Sequence, residues 1–245
     1  MQSLENFKRI NASELRSFLT GLILGDGTID KGTNKRMFRI KSINIEFVNY
    51  IEYVIKNNTC FQYHINEIQE IIDKNNVRHK KHWEFIISAH PYFNKLYHYF
   101  YDDYRNRTIY SKTLSWLTPI GIANWYMSDG YVCLVGKNKN NIYNRRIDIC
   151  TDRYKLEDIQ KIQYFLKFKF NIQTSIIKRR QSYRIRILTI SYETFINLIR
   201  SYIVSSMQYK LYLGYNNKQD WMSDEFWNFQ EYLKSAVTPP SNVEG

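Results

Sequence analysis

The sequence predicts an α+β protein that consists of two tandem repeats, each with the element order αββαββα. The dipeptide Asp-Gly occurs only at Asp26-Gly27 and Asp129-Gly130, which are 103 residues apart. Each copy follows an apolar run at helical spacing, and each is followed by segments that alternate apolar and polar residues as strands do. The same offset of 103 relates Asn94 to Asn197 further along the chain. These observations indicate an internal duplication.

Composition and charge exclude several classes of protein. Aromatic residues make up 16% of the 245-residue chain, against only nine Gly and four Pro, so neither a disordered nor a collagen-like chain is expected. No apolar stretch is long enough for a membrane-spanning helix, and no apolar signal segment is expected in residues 1–11. Cys60, Cys133 and Cys150 lack the spacing of a zinc site or a disulfide framework.

A helix is predicted before each Asp-Gly dipeptide. Ser13 is the expected N-cap of the first helix, and Thr118 followed by Pro119 gives an N-cap and an N1 proline for the second. The apolar residues at helical spacing are Leu15, Phe18, Leu19, Leu22 and Ile23 in the first run, and Ile120, Ile122, Trp125 and Tyr126 in the second.

The remaining elements follow in the same order in both halves. The first half is predicted to contain a hairpin over 28–41, a helix over 46–56, a hairpin from 61–71 and 80–88, and a helix over 91–101. The second half is predicted to contain strands within 131–150, a helix over 156–168, a hairpin from 172–178 and 183–190, and a helix over 192–204. The predicted repeats span residues 13–110 and 111–213, and residues 214–245 form a C-terminal extension with a short helix and a frayed tail.

The chain is strongly basic, with 35 Lys and Arg against 23 Asp and Glu and a net charge of +12. The charge is spread through alternating segments such as 183–187, so the predicted strands have a cationic outer face. Such a face fits a nucleic-acid groove, while solubility or attraction to an anionic surface are the alternatives. The expected DNA contacts are Arg36, Arg39, Lys41, Arg146, Arg180, Arg184 and Arg186.

Residues 19–27, Leu-Thr-Gly-Leu-Ile-Leu-Gly-Asp-Gly, resemble the signature of the LAGLIDADG homing endonucleases, and residues 122–130 are a more diverged copy. Two copies imply the single-chain, two-repeat branch of that family, a pseudo-symmetric monomer. The resemblance implies that the two motif helices pack at the centre and that two saddle-shaped antiparallel sheets straddle duplex DNA.

Small residues predict a close contact between the two motif helices. Gly21 and Gly25 are four residues apart and therefore share one helix face, where they let another backbone approach. Ser128 keeps a small residue in the second copy. Asn124 stands where a second glycine is expected, so the sequence alone does not secure a tight contact there.

The resemblance implies that Asp26 and Asp129 are catalytic and bind divalent metal, and that the backbone carbonyls of Gly25 and Ser128 also reach it. Two carboxylates held side by side repel each other, and a divalent cation relieves that repulsion. The expected metal is Mg²⁺, which prefers oxygen ligands, with Mn²⁺ as a substitute.

Two basic residues are expected to complete the catalytic site. Lys210 resembles the family's basic residue near the reacting water, and repeat arithmetic makes Arg107 its counterpart, because each lies 81 residues after its Asp-Gly aspartate. A cation there orders the water or stabilises charge on the phosphate. Lys112 is the alternative if the register between the repeats slips.

The resemblance implies a site-specific endonuclease that makes a staggered double-strand break in a long DNA target by metal-dependent phosphodiester hydrolysis. The halves differ at the expected DNA contacts, so the target should be asymmetric. The alternatives are an RNA-binding intron maturase on the same fold and a DNA-binding protein without cleavage. Expected partners are duplex DNA and intron RNA, with no membrane. A mitochondrion or chloroplast is the expected compartment, with a prokaryotic or phage cytoplasm as the alternative.

Overall fold

The computed structural model describes residues 9–30, 36–72, 78–135 and 144–211. The predicted C-terminal extension, 214–245, lies outside the described residues. The helices are α1 Ala12–Leu24, α2 Ile45–Asn58, α3 Pro91–Tyr97, α4 Ser111–Ser115, α5 Pro119–Asp129, α6 Leu156–Phe170 and α7 Tyr192–Ile199. The strands are β1 Thr28–Ile29, β2 Phe38–Ser42, β3 Tyr63–Ile68, β4 Ile71–Ile72, β5 Arg78–His79, β6 His82–Ile87, β7 Gly130–Val135, β8 Asn144–Cys150, β9 Thr174–Arg179 and β10 Ser182–Ile187.

The two halves contain equivalent antiparallel sheets. Their strand orders are β1-β2-β6-β3 and β7-β8-β10-β9, so each strand has a counterpart at the same place in the other sheet. A separate two-stranded ribbon, β4-β5, extends the β3-β6 hairpin of the first half. The α+β class with two αββαββα repeats is therefore confirmed. No helix within the described ranges is long and apolar enough to cross a membrane.

Each sheet buries one face against helices and turns the other outward. In β2, Phe38 and Ile40 are buried while Arg39 and Lys41 are exposed. In β10, Ile185 and Ile187 are buried on one face, and the arginines alternate with them on the other. The alternation of the sequence therefore places cations on the outward face of both sheets.

The N-cap of the first motif helix lies two residues before the predicted one. Asn11 is the N-cap: its side chain accepts from the backbone N–H of Glu14, and the Glu14 side chain accepts in return from the backbone N–H of Asn11. The prediction that Ser13 caps this helix is wrong, because Ser13 already lies inside its first turn. Thr118 and Pro119 begin α5 as predicted.

Helices α1 and α5 pack directly against each other at the centre of the chain. A Cβ atom on Gly21 would collide with the backbone carbonyl of Gly121, and one on Gly25 would overlap the side chain of Ser128. At the other end of the contact, the Ser17 hydroxyl accepts from the backbone N–H of Thr118 at 2.8 Å. Backbone therefore meets backbone at Gly21 and Gly121, and only small serine side chains fit at the two ends of the contact.

Asn124 does not loosen the helix contact, because Gly121 supplies the close approach one turn earlier. The Asn124 side chain is fully buried beside the hydroxyl of Tyr50, a residue of α2. Burial raises the pKa of Tyr50, and the Asn124 amide opposes that shift. The doubt that the sequence raised about this interface is thereby resolved in favour of a tight contact.

We predict that Gly21→Ala destabilises the protein by about 1–3 kcal/mol, because the added methyl meets backbone that cannot move aside. In an exposed helix interior, the same change stabilises by about 1 kcal/mol. Urea unfolding of the wild type and the variant measures the difference. Ser13→Ala on the exposed side of α1 is the control and should change stability by less than about 0.5 kcal/mol. A Gly21→Ala variant at least as stable as the wild type would contradict the close packing.

Candidate active site

The two motif helices bring Asp26 and Asp129 to one place. Asp129 is the last residue of α5, and Asp26 follows the C-cap Gly25 of α1, which packs against Ser128. Asp26 is exposed, whereas Asp129 is half-buried. Burial, followed by the nearby charge of Asp26, raises the pKa of Asp129 to about 7. The structure therefore brings together the two carboxylates that the sequence singled out.

Lys210 interacts electrostatically with both Asp26 and Asp129. It ends a short 3₁₀ helix, Ser205–Lys210, and its Nζ donates to the backbone carbonyl of Met127 at 2.5 Å. Burial lowers the pKa of Lys210 to about 8, while Asp26 and Asp129 act in the opposite direction. The Tyr126 hydroxyl donates to the Lys210 carbonyl and fixes the backbone that carries this side chain. The structure places Lys210 in the site.

The Arg107 side chain contacts the end of α1 and the turn that carries Asp26. Its guanidinium donates to the carbonyls of Ile23 at 2.7 Å, Gly25 at 3.2 Å and Gly27 at 2.5 Å, and to the Thr28 hydroxyl at 2.9 Å. These contacts hold the turn that carries Asp26. The catalytic role of Arg107 stays a prediction. Repeat arithmetic nevertheless paired it correctly with Lys210, because both side chains donate to carbonyls at the end of a motif helix.

Lys112 is not the residue that fills this position. It lies in α4, and its Nζ is 3.5 Å from the Tyr99 hydroxyl and 5.2 Å from the centre of that ring. The register between the repeats therefore does not slip at Arg107.

Arg153 is a site residue that the sequence reasoning missed. It lies in the link between β8 and α6, and it donates to the Gly25 carbonyl at 3.1 Å and to Asp26 Oδ1 at 3.3 Å. Its neighbour Tyr154 is buried and donates to the Leu24 carbonyl at 3.0 Å. Two residues of the second half thus hold the turn of the first half that carries Asp26.

The Gly25 carbonyl accepts hydrogen bonds from both Arg107 and Arg153. A carbonyl oxygen has two lone pairs, so a metal ion at this oxygen would compete with these two donors. That the carbonyls of Gly25 and Ser128 are metal ligands stays a prediction. The carboxylates of Asp26 and Asp129 are the other oxygen ligands predicted for the metal.

A groove of about 460 Å³ leads from Asp26 onto the outward face of the first sheet. Arg39 and Lys41 line it, and both side chains are exposed. Lys41 also pairs with Glu84 at 2.7 Å, an ion pair that lowers the pKa of Glu84. The groove further includes Asp26, Thr28, Ser128, Arg153, Tyr209 and Lys210.

Arg36 does not belong to this outward face. Its guanidinium lies 3.4 Å from the centre of the Tyr97 ring and donates to the Asp30 carbonyl at 2.9 Å. It lies two residues before Phe38, on the same alternation as Phe38 and Ile40, whose side chains are buried. In this structure Arg36 contacts α3, and its predicted contact with DNA stays a prediction.

The second sheet presents its arginines paired with carboxylates. Arg184 pairs with Asp152, and Arg186 pairs with the buried Asp148 at 2.7 Å. Arg146 lies 3.4 Å from the same Asp148, whose pKa is lowered by the arginines against the effect of burial. Arg180 is exposed in the turn between β9 and β10 with a positive φ of 51°.

A sequence model of the LAGLIDADG DNA endonuclease family matches residues 16–195 of this chain. The probable intron-encoded endonuclease 1 of Wickerhamomyces canadensis is 29% identical over 196 residues, covering 79% of this chain and 81% of that protein. The DNA endonuclease I-ChuI of Chlamydomonas applanata is 27% identical over 210 residues, covering 80% and 93%. The cytochrome b mRNA maturase bI2 of Debaryomyces hansenii is 25% identical over 213 residues, covering 84% and 76%.

Among solved structures, the homing endonuclease I-WcaI bound to its DNA recognition sequence matches with a TM-score of 0.72. The match is 24% identical and covers 86% of this chain and 92% of that one, which establishes a common fold. The family model spans most of the chain and includes both Asp-Gly motifs. The chain therefore belongs to the LAGLIDADG DNA endonuclease family.

Proposed function

We propose that this chain is a site-specific endonuclease that cuts both strands of a long, asymmetric DNA target and leaves staggered ends. The observation that carries the proposal is the pair of carboxylates, Asp26 and Asp129, which two packed helices hold beside a basic groove. Relatives named as DNA or intron-encoded endonucleases support it. Each half supplies one carboxylate, so a monomer completes the site.

The donor set fits a divalent metal, Mg²⁺ with Mn²⁺ as a substitute. Asp26 and Asp129 are hard oxygen ligands whose mutual repulsion a divalent cation would relieve. The described part of the chain contains no cluster of three or more His, Cys, Asp or Glu side chains, so water and substrate phosphate would supply the other ligands, as is usual for Mg²⁺. When bound, the metal would activate water and stabilise charge on the phosphate oxygens.

The basic residues of the chain then act on the substrate around the carboxylates. Hydrolysis joins a water oxygen to phosphorus, breaks the bond to the leaving oxygen and delivers a proton to it. Lys210 is held by the Met127 carbonyl and has a lowered pKa, so it is placed to order that water or transfer a proton. Arg153 supplies positive charge that phosphate oxygens attract, and Arg107 keeps the Asp26 turn in place.

A second candidate function is RNA binding as an intron maturase on the same fold. The observation that favours it is the similarity to the cytochrome b mRNA maturase bI2 proteins of Debaryomyces hansenii and Saccharomyces cerevisiae, at 25% and 26% identity. Splicing of the intron that encodes the chain, assayed with the Asp26→Asn variant, separates this activity from cleavage. A DNA-binding protein without cleavage is the weaker alternative, because both carboxylates are present. An organellar origin fits the intron-encoded relatives.

We predict that Asp26→Asn and Asp129→Asn each lower cleavage at least about a hundred-fold, because metal stabilisation of the reacting charge is worth several kcal/mol. The substrate is a duplex selected from a randomised pool by the wild type. Cleavage is measured with Mg²⁺, and binding is measured by mobility shift with Ca²⁺. Binding should persist in both variants. Glu157→Gln, an equal change of charge on the exposed face of α6, should cleave like the wild type.

Binding by the wild type without any cut would contradict the nuclease and favour the maturase or the DNA-binding alternative. Full cleavage by either aspartate variant would contradict the two-carboxylate site.

We predict that Arg39→Gln weakens binding to all duplexes by a similar factor and lowers the slope of log K against log salt by about 1. Arg39 is exposed in the groove without an ion pair among the described residues, so it can neutralise one phosphate. Fluorescence anisotropy at several salt concentrations gives the slope. Lys167→Gln, on the exposed side of α6, should leave the slope unchanged. A loss confined to one base pair of the target would instead make Arg39 a base-reading residue.

A further inference from the structure

Arg184 is held on the outward face of the second sheet by two side chains. Its Nε and Nη2 donate to the two carboxylate oxygens of Asp152 at 3.3 and 3.0 Å, and its Nη1 donates to the Tyr131 hydroxyl at 3.2 Å. Asp152 in turn accepts from the Ser182 hydroxyl at 2.6 Å. These partners come from β7, β10 and the link after β8, so the guanidinium plane is fixed by separate parts of the fold.

The contacts leave one edge of the guanidinium for a ligand. A guanidinium has five N–H donors, and Arg184 uses three of them on Asp152 and Tyr131. The two remaining donors are one N–H on Nη1 and one on Nη2, for which the described residues provide no acceptor. One of them is on each terminal nitrogen, and a guanidinium can donate from both terminal nitrogens to two neighbouring acceptors such as guanine O6 and N7.

Asp152 makes a base a better ligand than a phosphate at this edge. The ion pair cancels most of the charge of Arg184, and a phosphate that approached the guanidinium would also approach the Asp152 carboxylate. The acceptor edge of a base carries no formal charge and meets no such repulsion. Because the guanidinium of Arg184 is already held in place before binding, little side-chain entropy is lost when a base pairs with it.

The contacts of Arg184 lead to the strand that follows Asp129. Tyr131 follows Asp129-Gly130 directly in the sequence, and Arg184 is paired in register with Cys150 at the end of β8. Asp129, Arg184 and Lys210 all act on the pKa of Cys150, which burial raises. A base pair read by Arg184 is therefore near the bonds that are cut.

We propose that Arg184 recognises a guanine in the major groove of the second half of the target, close to the cleavage centre, and that Asp152 and Tyr131 are its positioning residues. The inference rests on the proposed DNA endonuclease function. It adds one specific base contact, for which the structure provides both the donor pair and its support.

Binding-site selection from a randomised duplex pool in Ca²⁺ tests the proposal without a known target. The wild type should enrich a sequence with a guanine that Arg184→Ala no longer selects, with the other positions unchanged and discrimination at that position lower by about 5- to 100-fold. Arg184→Lys keeps the charge but not the fork, so it should lose the same guanine and retain more affinity. Arg180→Ala, an exposed cation without a carboxylate partner among the described residues, should weaken all sequences alike.

Asp152→Asn separates positioning from simple structural support. Removal of the carboxylate loosens the fork and restores the net charge of Arg184, so discrimination at the guanine should fall while affinity for unrelated duplexes rises. Thermal unfolding of each variant shows that it is folded. A loss by Arg184→Ala that is equal for all sequences would overturn the proposal and assign a phosphate contact. Failure of the wild type to bind any duplex would overturn the proposed function itself.

Discussion

The close packing of α1 against α5 is the contact on which the rest of the structure depends. At Gly21 and Gly121, the backbones of the two helices touch without an intervening side chain. Because the axes are that near, the ends of the helices meet as well, and carboxylates 103 residues apart in sequence come together. Strands β1 and β7 closely follow the two motif helices, so the same contact also fixes where each sheet begins relative to the site.

Carboxylates at the C-terminal ends of helices are unfavourable in two ways. In this chain the same cations compensate for both. A helix C-terminus carries partial negative charge and carbonyls without partners, and the aspartates add full charges to it. Arg107, Arg153 and Lys210 each donate to terminal carbonyls, and all three also lower the pKa of Asp129 against the effects of burial and Asp26. The cations nearest the reaction are therefore also part of what holds the helix ends together.

The sequence predicted the features that depend on local residue patterns and on the internal duplication. Alternation predicted the strands, and repeat arithmetic found that Arg107 and Lys210 occupy equivalent places. The same alternation would have placed Arg36 on the inner side of its sheet, had its parity with Phe38 been followed. Arg153 was beyond reach, because it contacts Asp26 from the other half through a link longer than its counterpart between β2 and α2.

The duplication also explains why the two halves are chemically unequal on a common fold. Asp26 is exposed and paired with an arginine, whereas Asp129 is half-buried with a raised pKa. The β3-β6 hairpin of the first half is lengthened by β4-β5, while the β9-β10 hairpin of the second half closes in the turn at Arg180. A symmetric dimer would have to apply every such change to both of its halves at once. A single chain is free of that constraint, so each sheet can be fitted to a different DNA sequence while the contact between the motif helices stays the same.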